Sequence, residues 1–130
     1  MDVTLISSAS DKGFNLYAVV EDSSCAVKEF IETVDEIGKS QIVALFQRIL
    51  TNGLPHDEKK FRDLEEGIYE LKTRSGIRVL CFFGGKLLAK SLVLTHGFPK
   101  SKKKVLMREI AKARALYNKY KEEALNIVES

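Results

Sequence analysis

Cysteine is scarce in this chain of 130 residues: Cys25 and Cys81 stand alone, with no CxxC and no paired-histidine spacing. A disulfide framework and a structural zinc site are therefore not expected, and a reducing compartment fits. Cys81, flanked by Leu80 and Phe82, reads as a small core residue. No run approaches the about 18 uninterrupted apolar residues of a membrane span. The opening "MDVTLISSAS" has neither a basic n-region nor a long apolar segment. We expect no secretory signal and a cytoplasmic location. Internal repeats, low-complexity tracts and dividing linkers are also missing, so residues 1–130 are expected to form a single domain. No metal-ligand set and no cofactor motif is visible.

Acidic residues are scarce over one long stretch. Ile68–Lys121 carries 14 basic residues and 2 acidic ones, whereas Met1–Gly67 carries 7 basic and 13 acidic. Such asymmetry predicts a basic face for a polyanion, the alternative being an ordinary solvated helix surface. The densest part is "LTHGFPKSKKK", residues 94–104, where an apolar run ends at His96 and becomes a block of lysines.

Apolar periodicity orders the elements. "FNLYAVVED" reads as a strand, and "VTLIS" before it as an added edge strand joined through Asp11-Lys12-Gly13. Val27, Phe30, Ile31, Val34 and Ile37 recur at helical spacing up to a stop at Gly38. Ser40 is the expected cap of a second helix with Ile42, Leu45, Phe46, Ile49 and Leu50 on its stripe. "LPHDEKKFRDLEEG" reads as a polar connection. "IYELKTR", "IRVLCFF" and "KLLAKSLVLT" follow, separated by Ser75-Gly76 and Gly84-Gly85, links short enough to force antiparallel hairpins. Ser101 is the expected cap of a last helix, with Leu106, Ile110, Ala113, Leu116 or Tyr117, and Tyr120 on one stripe. The expected class is α/β (α+β): an N-terminal strand, a helical hairpin, an antiparallel three-strand meander in a small mixed sheet, and a C-terminal helix.

Alternation sorts the charges. Glu70, Lys72 and Arg74 share one face of their strand, and Arg78 lies across the tight turn. Like charges on neighbouring strands repel, so these cations need an anion, either Glu70 or a ligand. Arg78 placed on this charged face leaves no core cavity when truncated. The turn through Gly97-Phe98-Pro99 can return Lys100 over the same sheet end. Lys102, Lys103 and Lys104 occupy a first helical turn, the unfavourable end of the helix dipole for cations. Metal-free RNA cleavage suits such a site. The RNA's 2′-hydroxyl attacks the adjacent phosphate, cations stabilise the phosphorane, and a side chain protonates the leaving oxygen. Glu70, Lys72 and His96 are the candidate acids and bases, and Arg78 is a candidate site cation able to stabilise the phosphorane. Arg74, Lys100, Lys102, Lys103 and Lys104 are the candidate RNA contacts. Tyr117 and Tyr120 fit the helical stripe and read as core.

The stretch "YELKTRSGIRVLCFF" resembles the RelE/HigB superfamily of toxins from type II toxin–antitoxin systems. With "LVLTHGFPKSKKK" and "REIAKAR" added, the likeness is closest to its HigB-like, phage-derived branch and runs from about Asn15 to Tyr120. The resemblance implies a RelE-like fold, with residues 1–12 as an N-terminal extension, and a ribosome-associated mRNA endonuclease. It implies as partners mRNA, the ribosome and a cognate antitoxin, commonly of helix-turn-helix type, with no membrane. By position, Lys72 matches a proposed acid or charge stabiliser and Arg78 the arginine that grips the scissile phosphate. His96 and Lys100 fall where further basic or proton-handling groups occur, and Glu70 matches a Glu of the branch. The chain departs from the pattern in two ways: Lys72 stands where the branch has Arg, and no tyrosine lies between Phe82 and Leu116. A toxin-like module that binds RNA or a host protein without turnover is the alternative, and a regulatory protein-interaction domain a third.

Overall fold

The computed structural model describes residues 1–129. In chain order the elements are β1 (Asp2–Ser7), β2 (Asn15–Val20), α1 (Ala26–Thr33), α2 (Glu36–Asn52), β3 (Phe61–Asp63), β4 (Tyr69–Lys72), β5 (Arg78–Phe83), β6 (Ser91–Phe98), α3 (Lys103–Glu122) and β7 (Asn126–Ile127). The seven strands form one mixed sheet in the order β3-β4-β5-β6-β2-β1-β7. β2 runs parallel to β6 and β1 parallel to β7, while the remaining pairs are antiparallel.

Strands covered on both faces are expected to be apolar almost throughout, and β2, β5 and β6 are. Leu16, Ala18, Val79, Cys81, Leu92 and Leu94 meet Val27, Ile42, Phe46 and Ile49 of α1 and α2. Val19, Leu80, Phe82 and Val93 meet Ile110, Ala113 and Tyr120 of α3. Three helices on two faces of one sheet thus make two cores, and the stripe expected on the last helix is the one it buries. Phe82 lies at the centre of the second core, its ring 4.8 Å from that of Tyr117 and 4.9 Å from that of Tyr120. Both tyrosines are packing residues. No helix among the described residues is long and apolar enough to cross a membrane.

Several boundaries differ from those the sequence suggests. Gly38 does not end the first helix. α1 stops at Thr33, and the Asp35 carboxylate caps α2 by accepting from the Gly38 N–H at 2.7 Å, so Ser40 is interior. Ser101 is no cap either. Lys102 holds that position without a side-chain hydrogen bond, and the Ser101 hydroxyl is buried without a partner. The antiparallel run has four strands rather than three, because the "polar connection" contains β3. β1 is not the edge, since β7 pairs outside it. The β5–β6 link runs from Gly84 to Lys90, and β6 continues through Gly97 to Phe98 instead of turning there. Gly97 permits this: a Cβ would lie 2.3 Å from the Phe30 ring, which packs down on the strand.

The Tyr120 hydroxyl donates to the Gly84 carbonyl at 2.6 Å in a buried setting. Tyr120→Phe should leave that carbonyl only the longer bond from the Leu88 N–H, at 3.4 Å, and lower stability by about 1 kcal/mol. Urea unfolding followed by circular dichroism reads this, and an unchanged midpoint would make the bond unimportant.

Candidate functional site

The β4–β5 hairpin pairs Glu70 with Leu80, Leu71 with Val79 and Lys72 with Arg78. Leu71 and Val79 enter the core beneath α2, which turns Glu70 and Arg78 to the opposite face, while Lys72 at the strand's end lines grooves beside the turn. Its turn is tightly bonded. The Thr73 N–H donates to the Ile77 carbonyl at 2.9 Å and the Gly76 N–H to the Thr73 carbonyl at 3.0 Å. Gln41 of α2 reaches across: its side-chain oxygen accepts from the Ser75 N–H at 3.1 Å and from the Ser75 hydroxyl at 2.7 Å. Helix and turn are thereby held as one piece.

Glu70 is a buried carboxylate, its side chain 3% exposed. Arg78 Nη1 donates to its Oε2 at 3.0 Å, and Arg62 Nη2 of β3 stands 3.6 Å from the same oxygen. Of the two partners expected for these cations, the protein supplies Glu70 itself. Arg78 is in turn largely enclosed, at 13% exposed, and its Nε is buried without a hydrogen-bond partner. Arg78 is therefore not a free surface residue whose truncation is silent, as its strand position suggests. Removing it would leave Glu70 inside the protein with Arg62 alone.

Lys100 comes to the same sheet end. Arg78 pairs with Phe98 of β6, so the chain leaves β6 beside the start of β5. Gly76 has φ +93°, and a Cβ there would lie 3.1 Å from Lys100 Cβ and 3.4 Å from its Cδ. The lysine stem therefore lies over the turn. Arg74 is exposed at the turn and shares with Lys72 the walls of two grooves, one facing α2 and one facing Asp57, Lys59 and Lys60. Lys102, Lys103 and Lys104 are exposed at the start of α3, whose first turn has no acidic residue.

His96 goes elsewhere. Its Nε2 lies 2.8 Å from Glu109 Oε2 on α3 and its Nδ1 3.0 Å from Thr95 Oγ1. A carboxylate only accepts, so the proton of a neutral imidazole sits on Nε2. Burial lowers its pKa, while the hydrogen bond and charge of Glu109 pull the other way. The ring ties β6 to α3, with both nitrogens engaged. Thus Glu70, Lys72, Arg78 and Lys100 gather at one sheet end, Arg74 and the lysine block flank it, and His96 faces the helix. Cys81 is fully buried, and burial pushes its thiol pKa up. No cluster of His, Cys, Asp or Glu able to hold a metal ion occurs among the described residues.

Two residues of this site escape sequence reasoning. Arg62 is Glu70's cross-strand partner only once β3 exists. Gln41 carries no signal beyond its position on the helix.

Fold and site together define a small mixed α/β domain with a basic hairpin end braced by a buried carboxylate. The model of the family described as Phage derived protein Gp49-like (DUF891) matches residues 29–118. The chain belongs to this Gp49-like family, which is a RelE/ParE-like toxin family. The matched stretch runs from within α1 into α3, leaving β1, β2 and β7 outside it. No curated protein and no solved structure matches the chain.

Arg78→Ala should lower stability by about 2–4 kcal/mol, because it strands a buried charge. In Arg78→Gln/Glu70→Gln the two side chains can still hydrogen-bond without charge, so most of that loss should return. Urea unfolding of the three proteins decides; equal midpoints for Arg78→Ala and wild type would mean the pair carries no structural burden.

His96 gives a pH prediction. Its folded pKa lies below the unfolded one, so the unfolded chain takes up the proton first as pH falls. Stability should therefore be complete above about pH 6.5 and decline below it. His96→Gln should flatten the decline between about pH 7 and pH 5.5. Thermal melts across that range read the difference, and parallel curves would contradict it.

Proposed function

We propose that the chain is the toxin of a type II toxin–antitoxin pair, of the HigB-like branch with a RelE-like fold. In this reading it cuts mRNA at the ribosome by directing the RNA's own 2′-hydroxyl onto the adjacent phosphate. The observation that carries the reading is the pairing of Lys72 with Arg78 across the hairpin, with Lys100 laid over its turn. Among the described residues, Arg78 alone of the three has an ion-pair partner. A pentacovalent phosphorane offers the concentrated negative charge that this surplus calls for.

Each residue then has a role set by its surroundings. Arg78, oriented through Nη1, presents the rest of its guanidinium to the non-bridging oxygens; an anion along that edge would also meet its unsatisfied Nε–H. Lys72, half-buried and without a carboxylate partner among the described residues, donates a proton to the leaving 5′-oxygen, while the proton of the attacking 2′-hydroxyl passes to solvent water. Lys100 adds charge over the turn, and Arg74, Lys102, Lys103 and Lys104 hold flanking phosphates. Glu70 is a positioning residue that fixes Arg78 without reaching the substrate. His96 braces β6 against α3. The partners are mRNA, the ribosome and a cognate antitoxin that covers the basic face with acidic or apolar surface.

One observation favours a second reading. The two side chains best suited to accept a proton, Glu70 and His96, are both engaged by protein partners. A toxin-like module that binds RNA without cutting it would have this arrangement.

Induction in growing bacteria separates the two. The nuclease reading expects growth arrest with new mRNA 5′ ends in register with the reading frame, and neither from the folded Arg78→Gln/Glu70→Gln protein. Arrest without new ends would reject the nuclease and leave the binding module.

A further inference from the structure

Two adjoining grooves, of about 190 and 500 Å³, share the end of β4: the smaller lies between it and α2, and the larger between it and the segment leading into β3. The larger falls within the roughly 300–1,000 Å³ typical of ligand sites. Lys60, Lys72, Thr73 and Arg74 line both, Arg48 adds to the first and Lys59 to the second. Arg48, Lys59 and Lys60 belong by sequence to the acidic half, yet the fold carries them to the basic end.

Among the described residues the groove cations, like the lysines opening α3, lack the carboxylate partners that several other surface cations have. Arg62, Arg78, Arg114, Lys39, Lys112 and Lys119 each have a carboxylate partner. Arg48, Lys59, Lys60, Lys72 and Arg74 have none among the described residues. The one acidic residue lining either groove, Asp57, directs its Oδ1 at the Lys59 backbone N–H, 2.9 Å away, not at an ammonium. Lys60 is held beside Lys72 by the Lys72 N–H, which donates to the Lys60 carbonyl at 2.9 Å. Ala44 and Leu45 form an apolar wall opposite. Unpaired cations spaced along a concave path with an apolar side fit an extended polyanion with flat faces, rather than a single small anion.

We infer that these grooves carry a second stretch of single-stranded RNA backbone, held by Arg48, Lys59 and Lys60 and continuous with the hairpin site. The inference rests on the nucleic-acid reading above and extends it: the strand crosses the turn and runs along α2, away from the lysines of α3. Arg48, Lys59 and Lys60 are binding residues that position the strand, and the scissile phosphate stays at Lys72 and Arg78.

The test uses fluorescein-labelled single-stranded oligodeoxythymidylate, which has no 2′-hydroxyl and cannot be cut. Its affinity is followed by anisotropy against salt concentration. Arg48→Gln/Lys59→Gln/Lys60→Gln changes only exposed residues, and circular dichroism checks its fold. The salt slope should fall by roughly 2, about 0.7 for each phosphate that the variant no longer neutralises. Lys102→Gln/Lys103→Gln/Lys104→Gln serves as the comparison. A normal slope for the first variant, with a reduced one for the second, overturns the α2 path while the nucleic-acid reading stands. Wild-type protein with no salt-dependent binding overturns both. Poly-glutamate that binds wild type more tightly than the oligonucleotide, and is weakened further in the first variant, assigns the grooves to an acidic protein instead.

Discussion

A carboxylate shut between two guanidinium groups sets the geometry of the basic hairpin. Glu70 lies on β4 with Arg62 on one neighbouring strand and Arg78 on the other. Burying such a group is expensive, and a well-packed apolar replacement would often be as stable or more so. Stability therefore does not account for it. What the pair does supply is direction: an arginine bonded through one nitrogen to a fixed oxygen keeps a defined plane, which a free surface arginine lacks. The surrounding cations can then be exposed and mobile while one of them is fixed.

Everything that holds this centre is built from the two cores. Leu71 and Val79 anchor the hairpin under α2, and Gln41 ties its turn to the same helix. On the other face Phe82, Tyr117 and Tyr120 seat α3, and the His96–Glu109 contact links that helix to β6. The lysines opening α3 and Lys100 just before it are thus delivered by a helix that is itself locked to the sheet. Placing cations at a helix N-terminus works against the helix dipole by some tenths of a kcal/mol each. The deep apolar stripe further along α3 readily carries that cost.

Strong periodicity made much of this legible. The alternation of "IYELKTR" and "IRVLCFF" around Ser75-Gly76 is enough to pair Lys72 with Arg78, and the helical spacing of Ile110, Ala113 and Tyr120 separates core tyrosine from reactive tyrosine. Short or competing signals misled. β3 is three residues long, too few to show a period, so Arg62 was invisible as a partner. Val34 and Ile37 continue the spacing of α1 across a break that Asp35 makes by capping α2. Gly97 looks like a turn but serves as a flat place on a strand for Phe30. His96 illustrates a deeper limit: a basic residue beside a cationic loop is equally compatible with facing substrate or facing a helix, and only the position of Glu109 distinguishes them. Charge counted along the chain likewise misassigns Arg48, Lys59 and Lys60.

The proposed chemistry depends above all on the fixed guanidinium of Arg78. Lysine at that position keeps the charge beside Glu70, and so the fold, but cannot make a planar two-point contact with phosphate oxygens. The direct measurement is the single-turnover rate of mRNA cleavage on programmed ribosomes at saturating protein, for wild type and Arg78→Lys. We expect a fall on the order of 10²- to 10³-fold, comparable to deleting a donor from an oxyanion site. Cleavage by folded Arg78→Lys at the wild-type rate would contradict that role and move the chemistry away from this hairpin.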